Sequence, residues 1–178
     1  QPEFYVAVIE DMSELRRASF EAVHDPLTGL LNRRGFASRA REMLCEADEK
    51  RQRVSLLFLD LDGFKKLNDE QGHAVGDACL ADIGHILREQ SVPGDLTARI
   101  GGDEFLWLMR RETGAVRLAE AARGALDAYG LGLSGSIGLV TADAPGPADL
   151  DRLIACADDA MRAAKRLGKN QIQVAAFV

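Results

Sequence analysis

Two adjacent glycines between two short apolar runs constrain this chain most, because they predict a β-hairpin at one place in the sequence. Apolar residues lie at positions 96, 98 and 100 before Gly101 and Gly102, and at positions 105–109 after them. Glycine adopts the positive φ angles that a tight hairpin turn demands. Asp103 and Glu104 follow directly, so the hairpin can present two carboxylates that suit a metal ion and a phosphate chain. On these residues alone, a turn followed by two solvated acids explains the pattern equally well.

A second apolar run predicts a strand that lies beside this hairpin. The run begins at Ser55 and ends in Asp60, Leu61 and Asp62, which is the pattern of a buried central strand with carboxylates at its C-terminal end. Mg²⁺ binds hard oxygen ligands and usually shares them with substrate phosphates, so the strand and the hairpin together predict a magnesium site. For Asp62 we expect a structural role in the turn, with its side chain directed away from Asp60.

Length and charge limit the classes of protein to which this chain can belong. Its 178 residues suffice for one domain with a proper core and a short extension. The net charge of −6 argues against a general nucleic-acid or membrane-surface binder, so a nucleotide site needs local basic residues. Three dispersed cysteines fit reduced thiols in a cytoplasmic protein, and no apolar run approaches transmembrane length. The chain begins with Gln1 rather than Met, so we expect a fragment whose parent protein can still be membrane-anchored.

Apolar periodicity predicts an α+β fold with a central, mostly antiparallel five-stranded sheet flanked by helices. Residues 4–9 predict a strand, and Ser13 predicts the cap of a linker helix that runs to about residue 23. The remaining expected helices cover 33–50, 65–70, 76–90, 114–129 and 148–167; the expected strands cover 53–61, the hairpin over 96–110, 131–140 and 171–177, with a loop over 142–147.

Several separate motifs stand in an order that is typical of one family. They are DPLTGLLNRR at 25–34, DLDGFKKLND at 60–69, GH at 72–73, GD at 76–77, RIGGDEF at 99–105, and ADDAM at 157–161 followed by AK at 164–165 and GKN at 168–170. Over roughly residues 24–176 the chain resembles a diguanylate cyclase, or GGDEF, domain. The resemblance implies a palm-like fold shared with nucleotidyl cyclases and polymerases, with the cyclase domain over 24–178. Residues 1–23 resemble the end of a PAS sensor domain and a linker helix.

The resemblance also implies a reaction. Two GTP molecules condense into cyclic di-GMP with release of two pyrophosphates, when the 3′-hydroxyl of one GTP attacks the α-phosphorus of the other. Each domain holds one GTP, so a homodimer is implied during catalysis, with Mg²⁺ or Mn²⁺ as cofactor. We expect no nucleic-acid partner, no direct membrane contact from this fragment, and a cytoplasmic location.

Four positions match the metal-binding and catalytic residues of the family. The implied metal ligands are Asp60, the backbone carbonyl of Leu61, Asp103 and Glu104. Asp103 and Glu104 are also the implied catalytic residues, and the division of metal binding and deprotonation between them stays open.

Other positions match the family's contacts to the nucleotide. Asn68 and Asp77 match the guanine-reading pair, because an amide and a carboxylate complement the O6 acceptor and the N1 and N2 donors of guanine. Relatives that accept ATP differ at the position of Asp77, so this residue favours GTP. The remaining implied substrate contacts are the backbone amides of Phe64 and Lys65, the glycines Gly101 and Gly102, and the side chains of Lys165 and Lys169.

One departure from the family pattern concerns inhibition by the product. Many relatives carry an Arg-x-x-Asp motif that ends five residues before the Gly-Gly pair and binds cyclic di-GMP. Here Asp95 is in place, but Val92 stands at the position of the arginine. Arg99 remains as a weak contact, so we expect a degenerate product site.

Three functions are therefore open at this point, and the third, a cyclase that makes mixed or adenine-containing products, is disfavoured by Asp77. The first is an active, metal-dependent diguanylate cyclase. The second is a catalytically silent GTP-binding module that controls an attached phosphodiesterase or another output domain. The intact Gly101–Phe105 motif and Asp60 favour catalysis, since silent relatives usually lose such residues.

Overall fold

A computed structural model of the chain describes residues 15–110 and 114–177. Residues 15–21 are helical, whereas the expected strand over 4–9 and the cap at Ser13 lie outside the described residues. The helices that follow are α1 (Arg33–Glu49), α2 (Phe64–Gln71), α3 (His73–Gln90), α4 (Ala115–Tyr129) and α5 (Leu150–Arg166), with a 3-10 turn at Pro147–Asp149; the strands are β1 (Arg53–Asp62), β2 (Leu96–Arg99), β3 (Glu104–Arg110), β4 (Ser134–Asp143) and β5 (Ile172–Ala176).

The strands form one five-stranded sheet in the order β2-β3-β1-β4-β5. β1 is central and runs antiparallel to both β3 and β4, and only the pairing of β4 with β5 is parallel. Every residue of β1 after Arg53 is buried, which explains why this strand reads as a nearly continuous apolar run in the sequence. The predicted α+β fold with a mostly antiparallel five-stranded sheet is confirmed.

Helices cover both faces of the sheet and create two core layers. Leu57, Leu59 and Leu61 of β1 contribute to the layer shared with α3 and α4. Leu56 and Phe58 point to the other layer, which α1 and α5 cover. Successive side chains on a strand alternate between the two faces of the sheet, and this alternation continues to the end of β1.

Three predicted boundaries moved. β4 begins at Ser134 rather than at residue 131, because Leu131 and Gly132 adopt positive φ angles of 56° and 71°. β4 extends to Asp143, although residues 142–143 were expected in a loop, because Ala142 and Asp143 pair with the first residues of β1. The side chain of Arg53 adds an ion pair to Asp143 at 2.6 Å. α3 begins at His73 rather than Gly76, directly after Gly72, whose φ of 85° ends the preceding helix.

Helix α5 lies unusually close to the sheet, and one glycine permits this. A Cβ atom on Gly138 of β4 would overlap the backbone of α5 at Ala157 and Met161. This close approach determines where the end of α5 lies relative to the end of β1. Within residues 15–110 and 114–177, no helix combines the length and the apolar character needed to cross a membrane.

Candidate active site

A cavity of about 500 Å³ opens at the C-terminal end of β1. The end of β1, the start of α2, the turn between β2 and β3, and the end of α5 with its following turn all contribute to it. A cavity of this size that carries both carboxylates and ammonium groups can hold an anionic ligand together with a cation. Of the residues predicted for the site, those that line this cavity are Asp60, Leu61, Phe64, Lys65, Asp103, Lys165 and Lys169.

Backbone hydrogen bonds hold the Gly-Gly turn against the end of β1. Asp60 lies opposite Glu104 in the register of β1 and β3. The amide of Leu61 donates to the carbonyl oxygen of Asp103 at 3.2 Å, and the amide of Ile100 donates to the carbonyl oxygen of Glu104 at 3.0 Å. The hairpin therefore places Asp103 and Glu104 beside the end of the central strand.

Arg99 fixes the same turn through side-chain contacts. Its guanidinium donates to the carbonyl oxygen of Gly102 from Nε at 3.1 Å and from Nη2 at 2.8 Å, and its Nη1 lies 3.2 Å from Oδ1 of Asp25. Burial by itself would raise the pKa of Asp25, but hydrogen bonds from Thr28 and the charge of Arg99 lower it below its ordinary value. The DPLTG segment thus helps to hold the Gly-Gly turn in place.

Asp60 is a buried carboxylate paired with one lysine. Its side chain is 8% exposed, and Nζ of Lys165 lies 2.7 Å from its Oδ1. We describe this contact as an ion pair, because Oδ1 has no aligned hydrogen-bond partner among the described residues. Burial raises the pKa of Asp60 above its ordinary value; Lys165 opposes the shift, and the carboxylates of Asp103 and Glu104 add to it. Lys165 therefore compensates the charge only in part.

The donors around Asp60 fit a divalent metal ion. Carboxylate and carbonyl oxygens are the hard ligands that Mg²⁺ and Mn²⁺ bind, and Asp60, Leu61 and Asp103 line the same cavity. Among the described residues, no three carboxylates, histidines or cysteines already surround one point. Because Mg²⁺ usually keeps water and substrate phosphates among its ligands, a site with few protein ligands suits a metal ion that binds together with a nucleotide.

The start of α2 and the end of α5 bring amide and ammonium groups to the cavity. Gly63 precedes α2 with a φ of 84° and has no side chain that could cap the helix. The first amides of α2, at Phe64 and Lys65, are thus available to an anion, as helix N-termini generally are. Lys165 lies in the last turn of α5, and Lys169 follows in a turn with a φ of 65°.

The expected guanine-reading pair lies at the junction of α2 and α3, outside the lining of the cavity. Asn68 is on α2 and Asp77 is on α3, where it is exposed. The carboxamide of Asn68 packs against Gly76, in the space that a Cβ atom at position 76 would fill. Oδ1 of Asn68 is buried without a hydrogen-bond partner among the described residues, so this side chain has hydrogen-bonding capacity left over.

The expected orientation of Asp62 was wrong. Residues two apart on a strand share a face, so Asp62 lies on the same face of β1 as Asp60, and it belongs to the strand rather than to a turn. Its Oδ2 accepts hydrogen bonds from Oγ of Ser136 at 2.8 Å, from Oγ of Ser134 at 3.3 Å, and from the amide of Asn170 at 3.1 Å. We did not predict these partners. The Ser-Gly-Ser alternation at the start of β4 was the available signal, because it places two hydroxyl groups on one face.

Of the residues expected to form a degenerate product site, the side chains of Asp95 and Arg99 make contacts within the protein. Asp95 accepts hydrogen bonds from the amide of Val92 at 3.2 Å and from Nε1 of Trp107 at 3.0 Å. The side chain of Val92 is exposed. Arg99 is directed to Asp25 and to the hairpin turn. The structure therefore brings Val92 and Asp95 together before β2, while the guanidinium of Arg99 serves another contact.

Comparison with known proteins shows one family. The sequence model described as "Diguanylate cyclase, GGDEF domain" matches residues 22–171. The diguanylate cyclase DgcS of Shewanella oneidensis is 35% identical over 162 residues, which cover 88% of this chain and 54% of DgcS. The diguanylate cyclase TpbB of Pseudomonas aeruginosa is 45% identical over 105 residues, which cover 59% of this chain and 22% of TpbB. The chain thus spans about half, or less, of the length of these curated relatives.

Solved structures show the same likeness at the level of the fold. The coiled coil and GGDEF domain of DgcB from Caulobacter crescentus, solved in complex with c-di-GMP, matches with a TM-score of 0.85 at 26% identity, and the match covers 98% of this chain and 96% of that one. The GGDEF domain of TpbB from Pseudomonas aeruginosa matches with a TM-score of 0.76 at 37% identity and covers 85% of this chain and 94% of that one. Since the matched residues include every element from α1 to α5 and the whole cavity, the chain belongs to the GGDEF diguanylate cyclase domain family.

Proposed function

We propose that this chain condenses two GTP molecules into cyclic di-GMP and releases two pyrophosphates. The observation that carries the proposal is the buried Asp60, which lies in register with Glu104 of the Gly-Gly hairpin and 2.7 Å from the ammonium group of Lys165. One cavity thus combines carboxylates for a metal ion with cations for a triphosphate. The curated relatives to which the chain is similar are named diguanylate cyclases.

Diguanylate cyclases work with a divalent metal ion, and we propose Mg²⁺, with Mn²⁺ as a substitute. Asp60, the carbonyl oxygen of Leu61, and the carboxylates of Asp103 and Glu104 would hold it. Bound there, the ion supplies positive charge to the triphosphate and to the hydroxyl group that attacks. Burial of Asp60 raises its pKa, so a cation beside it also stabilises the ionised form that serves as ligand.

The rest of the cavity would bind and orient the nucleotide. Lys165 and Lys169 would contact the phosphates, together with the free amides at the start of α2. Asn68 and Asp77 would bind guanine, and adenine would leave both groups unpaired, which favours GTP over ATP. Together, these contacts would hold the α-phosphorus of the bound GTP where a second nucleotide can reach it.

A single cavity that holds one GTP must meet a second one, so we propose a homodimer during catalysis. Residues 15–21 form a helix with Leu15 and Phe20 exposed, which fits a linker that pairs with its copy. We further propose that residues 1–23 connect this domain, at 24–178, to an input domain of the PAS type. The cytoplasm, which holds the GTP, is the proposed location.

The test is incubation of the chain with GTP and Mg²⁺, with identification of the nucleotides by mass. We expect cyclic di-GMP from the wild type and none from Asp103→Asn or Glu104→Gln. Because both acids are only half-buried, these changes should leave the melting temperature nearly unchanged. Glu42→Gln, which alters an exposed acid on α1, is the matched control and should form product at the wild-type rate.

Two further measurements, of GTP binding and of the dependence of activity on protein concentration, separate the alternative functions. Binding of GTP without product would favour the silent regulatory module. The specific activity should rise with protein concentration as long as the chain is monomeric, because product needs two loaded domains. Wild-type product formation by both carboxylate variants would contradict the proposed site.

A further inference from the structure

The turn that carries Lys169 has an unusual backbone conformation. Gly168, Lys169 and Asn170 have positive φ angles of 122°, 65° and 45°. Residues other than glycine rarely adopt such angles, and they keep them only where surrounding contacts hold them in place. The turn follows α5 and leads into β5, and Lys169 lines the cavity at the end of β1.

The amide of Lys169 donates to the carbonyl oxygen of Ala164 in α5 at 3.0 Å. Asn170 supplies further contacts that hold this turn. Its backbone amide donates to Oδ2 of Asp62 at 3.1 Å. Its side-chain Oδ1 accepts a hydrogen bond from Arg123 at 3.0 Å, and its Nδ2 donates to Asp127 at 3.2 Å. The residue next to Lys169 is therefore attached to the end of the central strand on one side and to α4 on the other.

Asp62 is the part of this anchor that a purely structural contact does not explain well. Its side chain is only 7% exposed and carries a charge, and two serine hydroxyls of β4 also bind its Oδ2. The other oxygen, Oδ1, is buried without a hydrogen-bond partner among the described residues. Burial of a carboxylate costs free energy, and the three hydrogen bonds to Oδ2 hold Asp62 in one orientation beside the cavity that it lines.

We propose that Asp62 is a positioning residue for the nucleotide. Through the amide of Asn170 it holds the turn in the conformation that keeps the ammonium group of Lys169 at the phosphate end of the cavity. This inference rests on the proposed function, because it takes the ligand to be a guanosine triphosphate. Asp62 itself touches neither the phosphates nor the reacting atoms.

The first measurement compares the affinities for GTP and GMP by calorimetric titration of the full chain. GMP carries the same base but lacks the outer phosphates. Asp62→Asn preserves the size of the side chain and removes its charge. It should weaken GTP binding about tenfold, the lower end of what one charge-assisted contact contributes, and leave GMP binding unchanged.

The second measurement asks whether Asp62 acts through Lys169. Lys169→Met should weaken GTP binding by itself, and Asp62→Asn should cost nothing more in that background. If Asp62→Asn folds poorly, Ser136→Ala tests the orientation of Oδ2 from β4 with Asp62 and the turn unchanged, and it should weaken the binding of GTP but not of GMP. Ser55→Ala is the control: it breaks a partly buried hydrogen bond to Thr141 between β1 and β4, at the end of β1 away from the cavity, and it should leave both affinities as in the wild type.

The outcomes separate this inference from the proposed function. A wild type that prefers GTP to GMP, together with an equal loss for both nucleotides in Asp62→Asn, or additive losses with Lys169→Met, would show Asp62 to be only structural and overturn the inference. A wild type without any preference for GTP would overturn the proposed function and the inference with it. A loss confined to GTP and absent in the Lys169→Met background supports both.

Discussion

Replacement of Lys165 by Met should reveal how strongly the buried Asp60 depends on its one cation. The change keeps the length of an unbranched side chain on α5 and removes the ammonium group 2.7 Å from Oδ1 of Asp60. The carboxylate is 8% exposed, whereas the lysine is 36% exposed. The exposure of this ion pair is therefore intermediate between that of a fully buried pair and that of a surface pair.

The exposure of the two side chains determines how much stability the variant should lose. Loss of one partner from a fully buried pair costs about 3–5 kcal/mol, and exposed pairs contribute about 0.2–1 kcal/mol. Because water reaches Lys165, we expect Lys165→Met to lower the free energy of unfolding by about 2 kcal/mol near neutral pH. For a domain of this length, that corresponds to a fall of roughly 4–8 °C in the melting temperature.

The cost should depend on pH in a defined direction. Burial raises the pKa of Asp60, and removal of Lys165 takes away a group that lowers it, so the pKa rises further in the variant. A carboxyl group with a raised pKa in the fold favours folding at low pH, and this contribution is lost as the pH rises through the folded pKa. The variant should thus lose more stability near neutral pH than in mildly acidic solution, where a larger fraction of Asp60 is protonated.

Urea unfolding of four proteins measures this coupling. They are the wild type, Lys165→Met, Asp60→Asn and the double variant. In the Asp60→Asn background, Lys165→Met should cost almost nothing, which gives a coupling energy of about 2 kcal/mol. A coupling below about 0.5 kcal/mol, or a cost that is independent of pH, would refute the ion pair as the main partner of Asp60.

Two further predictions concern packing and the product site. Gly138→Ala should destabilise the fold by about 3 kcal/mol or more in urea unfolding, because the new Cβ meets the backbone of α5. Gly124→Ala, at an open position in α4, is the control and should stabilise the fold slightly; equal effects of the two substitutions would contradict the close packing of α5. Calorimetric titration with cyclic di-GMP should show weak binding to the wild type and about tenfold tighter binding to Val92→Arg, because an arginine next to Asp95 adds a charge-assisted contact; strong binding and inhibition in the wild type would refute this.

Local features of the sequence were enough to predict the hairpin and the central strand. The Gly-Gly pair between two apolar runs indicated the turn, although neither Gly101 nor Gly102 has the positive φ angle that we expected, and an apolar run is buried wherever the chain folds. For the same reason the helices were predicted to within a few residues of their observed bounds. The order of motifs then placed Asp60 and the Asp103–Glu104 pair near each other, since neighbouring strands of one sheet bring their ends together.

Contacts between segments far apart in the sequence could not be predicted from local pattern. β4 extends to Asp143 because its partner strand β1 offers backbone groups with which the last residues of β4 pair. The pairing of Lys165 with Asp60 depends on how closely α5 approaches the sheet, which Gly138 determines through packing rather than through its own conformation.

Asp62 shows most clearly what tertiary structure decided. The sequence places a carboxylate at the end of a strand, and alternation determines the face of the sheet to which it points. Whether it binds a metal ion, solvent or the protein depends on which groups lie opposite. Two serines of β4 and the amide of Asn170 come from later parts of the chain, and only the folded sheet brings them to one oxygen atom.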